Sequence, residues 1–164
     1  MNKGTAIEVR EHVAAPPGAV YAMVADVTRM GEWSPECVHA EWVDGATGPA
    51  VGARFKGSNR KGLARWSTTP RVVAADPGRE FAFVVTDPRD RENTRWTYRF
   101  ESASGGTDVT ESFELLRDVP GAVAFIVYRC LLRVKDRRAD LEANMRHSLA
   151  ALKAAAEKAQ SSLN

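Results

Sequence analysis

"AAPPGAVYAMVADVTRMGEWSPE", residues 14–36, sets the frame of the chain. Pro16-Pro17 stops the strand pattern before it and suits a first helical turn, where a missing amide proton goes unnoticed. Val20, Val24 and Val27 then recur at helical spacing. Thr28 stands where it can cap a second short helix, which Gly31 and Ser34-Pro35 end. Upstream, Ile7, Val9 and Val13 alternate with Glu8, Arg10 and His12, the mark of a half-buried strand over 5–13. Downstream the period stays at two, and strands are expected over 37–43, 53–60, 65–75, 79–86, 94–103 and 107–117. Their separators ("DGATGPAVG", "RKG", "DPG", "DPRDREN", "SGG") hold the residues that turns need. The period changes once more near the end. Leu141, Met145, Leu149, Leu152 and Ala156 form one stripe of a long helix. Before it, Pro120-Gly121 opens an apolar stretch to about Val134, read as a separate short helix. One sheet of seven strands, with two short helices after the first and a long helix at the end, makes an α+β chain.

Bulk properties narrow the function classes. A chain of 164 residues suits one domain, 1–164, large enough to bury a core. Its 23 Lys plus Arg against 21 Asp plus Glu give a formal charge of +2. That surplus makes no electrostatic case for nucleic acid. Cys37 and Cys130 form no framework of bridges, and a cytoplasmic setting is expected. The charged N-terminus lacks an apolar signal core. The run "GAVAFIVY", 121–128, is far short of a transmembrane segment, which takes about 20 residues.

The element order and the residues that carry it resemble the SRPBCC superfamily, the START-like, polyketide cyclase–dehydrase group. The likeness spans nearly the whole chain. It is strongest in residues 14–36, with Pro16-Pro17, Asp26 and Trp33, and continues in "GARFKG" (52–57), "RWTYRFE" (95–101) and "GGTDVTESFE" (105–114). The resemblance implies a helix-grip fold, in which an antiparallel sheet curls around the C-terminal helix and leaves a cavity. It also implies a hydrophobic or aromatic small-molecule ligand, polyketide- or lipid-like. Members of the group bind, transport, cyclise or sense ligands, so fold does not select among these roles. The apolar 121–134 segment departs from the family, being longer than the loop many members have there.

Alternation assigns the inward rows. They are Val38, Ala40 and Trp42; Phe55, Gly57 and Asn59; Trp66, Thr68 and Val72; Phe81, Phe83 and Val85; Trp96, Tyr98 and Phe100; and Val109, Glu111 and Phe113. Aromatic rows with sparse polar groups line small-molecule sites, although such rows also build plain cores. The expected ligand contacts are Trp33, Trp42, Phe55, Asn59, Trp66, Thr68, Phe83, Trp96, Tyr98, Glu111 and Phe113. From the long helix Met145, Ser148, Leu149 and Leu152 join them. Ser148 either bonds its own backbone or offers a ligand contact.

Glu111 is the anomaly. An ionised carboxylate in an apolar row is so costly that it must be protonated, paired or wet. Glu11 shares the inward side of the first strand, which the resemblance sets beside the last. Two neighbouring carboxylates would raise one pKa, as would burial, and make a proton donor. A rim salt bridge to an arginine is the competing account. Glu111, Tyr98 and Asn59 are therefore the candidate catalytic groups if the chain is an aromatase/cyclase or dehydratase rather than a binding module. An interaction or co-chaperone domain is the third class.

Other constellations carry less. Cys37, His39 and Glu41 look like a nucleophile with its base. Residues two apart on a strand stand about 6.6 Å from each other, however, and a nucleophile–base hydrogen bond needs about 3 Å, so the trio reads as a solvated outer face. His12 and His147 face away from the core rows. No metal-ligand spacing occurs, and no cofactor is implied. "GATGPAVGARFKG" (45–57) lacks the strand–loop–helix context of a phosphate cradle and reads as a flexible loop, placed at the cavity mouth. The apolar helix at 120–134 is expected to act as a lid and to contribute to a homodimer through Phe125 and Ile126. Arg129, Arg133, Lys135, Arg137 and Arg138 lie on or just after it.

Overall fold

The computed structural model describes residues 1–118 and 136–163. The apolar segment at 120–134, with the short helix, lid and dimer contact expected of it, lies outside the described residues. Eight antiparallel strands form one sheet: β1 (Ala6–Val13), β2 (Cys37–Val43), β3 (Arg54–Lys61), β4 (Ala64–Thr68), β5 (Pro70–Asp76), β6 (Glu80–Thr86), β7 (Glu92–Ala103) and β8 (Gly106–Leu115). Seven of them run in the order β1-β8-β7-β6-β5-β3-β2, and β4 pairs only with β3. The sheet curls over the C-terminal helix in the α+β, helix-grip layout.

Helix α1 (Pro17–Ala25) begins with Pro17 in its first turn and buries Val20, Tyr21, Met23 and Val24. A 3₁₀ turn, Val27–Glu32, follows where a second helix was expected. Its cap is Asp26, not Thr28. The Asp26 carboxylate accepts from the Thr28 amide at 3.2 Å and from the Thr28 hydroxyl at 2.6 Å. Helix α2 (Arg137–Ser161) is capped by Asp136, which accepts from the amides of Arg138 and Ala139. Its predicted stripe is buried, with Ser148 inside it. Glu157 accepts from the Ala14 amide at 2.9 Å and ties α2 to the end of β1. Where β8 starts, a Cβ on Gly106 would stand 2.1 Å from the Val13 carbonyl oxygen, so only glycine permits that approach.

Two local departures reshape the concave face. The expected strand 65–75 divides at Pro70, which has no amide for a ladder. Its first half pairs with β3 from Gly57↔Thr68 to Lys61↔Ala64. Its second half leaves to pair with β6 and meets β3 only at Arg54↔Arg71. The other departure is a β-bulge in β2, where Cys37 pairs with Asn59 but His39 with Ser58. One extra residue reverses the facing of what precedes it. Val38, assigned inward by alternation, is 51% exposed, and Cys37 is buried instead.

Candidate functional site

Between the concave face of the sheet and α2 lies a cavity of about 650 Å³. Pockets for small ligands fall in the range of about 300–1,000 Å³. Of the residues singled out from the sequence, Trp33, Phe55, Asn59, Trp66, Thr68, Phe83, Trp96, Tyr98, Glu111, Phe113, Met145 and Ser148 line it. Trp42, Leu149 and Leu152 are not in the lining. Trp42 lies one pair beyond on β2 and packs edge-on against Phe55 at 5.8 Å. Leu149 and Leu152 are buried further along the α2 stripe, toward the part that is tied to β1. Edge-to-face rings stiffen the apolar wall, with Phe55–Phe83 at 5.2 Å and Trp96–Phe113 at 5.1 Å.

The deepest polar feature is a cross-strand pair. Tyr98 of β7 and Glu111 of β8 are direct partners in register. The Tyr98 hydroxyl donates to Glu111 Oε1 at 2.8 Å. Glu111 is 2% exposed, and its Oε2 has no hydrogen-bond partner among the described residues. Burial pushes the Glu111 carboxyl up to about 8, against the opposing pull of the Tyr98 hydrogen bond. Burial, and then the neighbouring Glu111, hold the Tyr98 phenol well above its ordinary value. At neutral pH both groups therefore keep their protons. Because Oε1 already accepts from Tyr98, the Glu111 proton belongs on Oε2.

The expected partner of Glu111 is not there. Glu11 pairs in register with Val109, while Val9 stands opposite Glu111. The Glu11 side chain is turned toward Lys153 Nζ at 4.0 Å and is 39% exposed. Of the two causes expected to raise the Glu111 pKa, burial is the one that acts, and the second carboxylate is not. Among the described residues no arginine pairs with Glu111, so the rim salt bridge is also absent.

A second polar group borders the same cavity, and it is fully charged. Arg137 grips Glu36 with two parallel bonds, Nη1 to Oε1 at 2.7 Å and Nη2 to Oε2 at 3.0 Å. Arg137 Nη1 also reaches Asp140 at 2.5 Å. Lys61 Nζ bonds Glu36 Oε1 at 3.2 Å and also Asp140, and Asn144 Nδ2 donates to Glu36 Oε1 at 2.8 Å. Burial pushes the Glu36 carboxyl up, but Arg137 and Lys61 outweigh it and leave the group below its usual range. Elsewhere on the lining, Asp87 accepts from Arg91 Nε at 2.8 Å, and that hydrogen bond leads the causes that bring its carboxyl down to about 2. Exposed Pro35, Arg91 and Asp118 bring the cavity to the surface.

Sequence reasoning missed Glu36, Cys37, Asp87, Arg91 and Arg117 as lining residues. Glu36 and Arg137 are 101 residues apart, and no local pattern joins them. Cys37 does not share the solvated outer face expected for it with His39 and Glu41, because the bulge turns it inward. Its thiol is pushed up by burial and donates to the His39 carbonyl at 3.4 Å, while His39 and Glu41 are exposed outside. The 44–54 loop lines a separate hollow and not the cavity mouth expected of it. Among the described residues no cluster of His, Cys, Asp or Glu could hold a metal ion. No described helix is long and apolar enough to cross a membrane.

Comparison with known proteins follows the same line. The family model described as polyketide cyclase / dehydrase and lipid transport matches residues 5–157. A Polyketide_cyc-like protein from Corynebacterium glutamicum is 35% identical, with 93% of this chain and 91% of that one covered and a TM-score of 0.60. A protein from Chromobacterium violaceum shares the fold at 19% identity, with 96% and 99% covered and a TM-score of 0.66. A di-domain ARO/CYC protein of the steffimycin biosynthetic pathway shares it at 16% identity and a TM-score of 0.73, with 95% of this chain and 51% of that one covered. This chain thus spans about half of the di-domain protein. No curated protein matches the sequence.

Proposed function

The chain belongs to the polyketide cyclase / dehydrase and lipid transport family, and from that premise we propose that it encloses a hydrophobic or aromatic small molecule, polyketide- or lipid-like, in the cavity beneath α2. One observation carries the reading. Glu111 presents a solvent-free oxygen, without a partner among the described residues, on the lining of an aromatic cavity, and burial raises its carboxyl to about 8, which keeps the proton on it near neutrality. A buried donor left unmade costs about 1–3 kcal/mol. A ligand carbonyl that accepts from Oε2 offsets this cost, while the rings bury the rest of the molecule. A reducing cytoplasm suits the buried free thiol of Cys37.

The test compares two neutral bicyclic probes by calorimetry at pH 6.5. 2-Acetylnaphthalene, which has a carbonyl, should bind about tenfold tighter than 2-ethylnaphthalene. Glu111→Leu should remove the difference and keep the weaker binding. If neither probe binds, the reading fails.

A second reading, an aromatase/cyclase or dehydratase, draws on the same group. A carboxylic acid whose pKa is about 8 suits general acid work near neutrality. It would protonate the leaving hydroxyl of a β-hydroxyketone as the C–O bond breaks, and the carboxylate so formed would take the α-proton. Water leaves, a C=C bond forms and the acid is restored while Tyr98 holds Oε1. Water loss from such a probe should then slow at least about a hundredfold in Glu111→Gln. Equal rates with wild type and variant would leave binding alone.

A further inference from the structure

Gly57 sits in mid-strand on the inward row of β3 and lines the cavity. Its backbone is not in the left-handed region, so its conformation does not call for glycine. A glycine inside a strand weakens it and often marks where something approaches closely. A Cβ there would stand 3.3 Å from Thr68 Oγ1, 3.8 Å from Asn59 Nδ2 and 3.8 Å from Cys37 Sγ. Three polar atoms from three adjacent strands thus converge on the space the missing side chain leaves. The register produces this convergence. Gly57 faces Thr68 of β4, Asn59 faces Cys37 of β2, and the bulge at Val38 turns Cys37 inward.

We propose that Gly57 holds open a second polar subsite, built by Thr68, Asn59 and Cys37, which takes a hydroxyl of the ligand whose carbonyl meets Glu111. The proposal rests on the binding reading above and narrows the ligand to a neutral aromatic ketone that also bears a hydroxyl. Each wall group is neutral. The Thr68 hydroxyl donates and accepts, and Asn59 has a second N–H and a carbonyl oxygen beyond its bond to the Gly57 carbonyl at 3.3 Å. An anion in the nook would lack a counter-charge. Lys61, the next inward residue on β3, is engaged by Glu36 and Asp140. The two poles serve one molecule, because Cys37, Gly57, Asn59 and Thr68 line the same cavity as Tyr98 and Glu111.

Calorimetry with 2-acetylnaphthalene and a set of acetylnaphthols, which carry the hydroxyl at different ring positions, tests the subsite. At least one isomer should bind wild type about five- to tenfold tighter than 2-acetylnaphthalene, the worth of one neutral hydrogen bond. Gly57→Ala fills the nook at contacts the Thr68 side chain can relieve. Thr68→Val removes a wall hydroxyl at nearly constant volume. Both variants should lose the gain, so that no acetylnaphthol binds a variant more than about twofold tighter than 2-acetylnaphthalene binds that same variant. If Gly57→Ala lacks a cooperative melt, Thr68→Val decides. Wild type that binds 2-acetylnaphthalene but prefers no acetylnaphthol overturns the subsite, as does a preference undiminished in Thr68→Val. Absence of binding to 2-acetylnaphthalene itself overturns the underlying reading instead.

Discussion

Glu36 and Glu111 are both carboxylates on the lining of one cavity, and the fold keeps them in opposite states. Glu36 sits among Arg137, Lys61 and Asn144, and every bond it makes favours its charge. Its carboxyl stays ionised although burial opposes this. Among the described residues Glu111 has one neutral partner and one unpartnered oxygen, and burial wins. The lesson is that burial alone does not set the protonation state. The number of donors and cations that reach the carboxylate decides it. The Glu36 group joins the residue just before β2 to β3 and α2 and closes the fold on itself. The Glu111 group leaves one hydrogen bond open, and that opening is what a ligand can use.

The largest test of this contrast is the pH dependence of stability. In the folded chain Glu111 stays protonated up to about 8, whereas in the unfolded chain it ionises near its ordinary 4.5. Folding therefore takes up a proton between those values, and stability should fall as pH rises from about 4.5 to 8. The loss attributable to Glu111 is on the order of 3–5 kcal/mol. Glu36 works in the other direction. Its lowered pKa adds stability that is present above its ordinary value and lost as pH falls through the folded one. Urea unfolding from pH 3 to 9 should show both limbs, and Glu111→Gln should flatten the alkaline one alone. A wild-type alkaline limb no steeper than that of the variant would place Glu111 among the ionised carboxylates.

Next in size is Arg137→Ala. It strips Glu36 of its two-pronged partner and leaves a part-buried charge, at a cost of about 2–3 kcal/mol in urea unfolding. Adding Glu36→Gln should recover part of that loss. A double variant as unstable as the sum of both singles would show the two residues to be uncoupled.

The smallest effect should come from Tyr98→Phe, which removes the one donor to Glu111 among the described residues. A loss of about 1 kcal/mol is expected. The Glu111 titration, followed by carbon-13 NMR of its carboxyl, should move upward because the Tyr98 hydrogen bond is what lowers it. An unchanged or lower midpoint would mean that Tyr98 does not hold Oε1.

The sequence by itself determined the element types and most of the facing. Alternation put Phe55, Phe83, Trp96, Tyr98, Glu111 and Phe113 on inward rows, and helical spacing put Met145 and Leu149 on one stripe. These periods arise from each residue's own backbone geometry, so a single chain segment reveals them. It even exposed Glu111 as a carboxylate in an apolar row. Tertiary structure alone decided what surrounds that carboxylate. Strand register, set by pairing across the whole sheet, gave Glu111 Tyr98 and turned Glu11 toward Lys153. A bulge that exists only against β3 turned Cys37 inward, and helix docking brought Arg137 to Glu36. The charge state of a buried group follows from the summed distances to partners far along the chain, which no local period encodes.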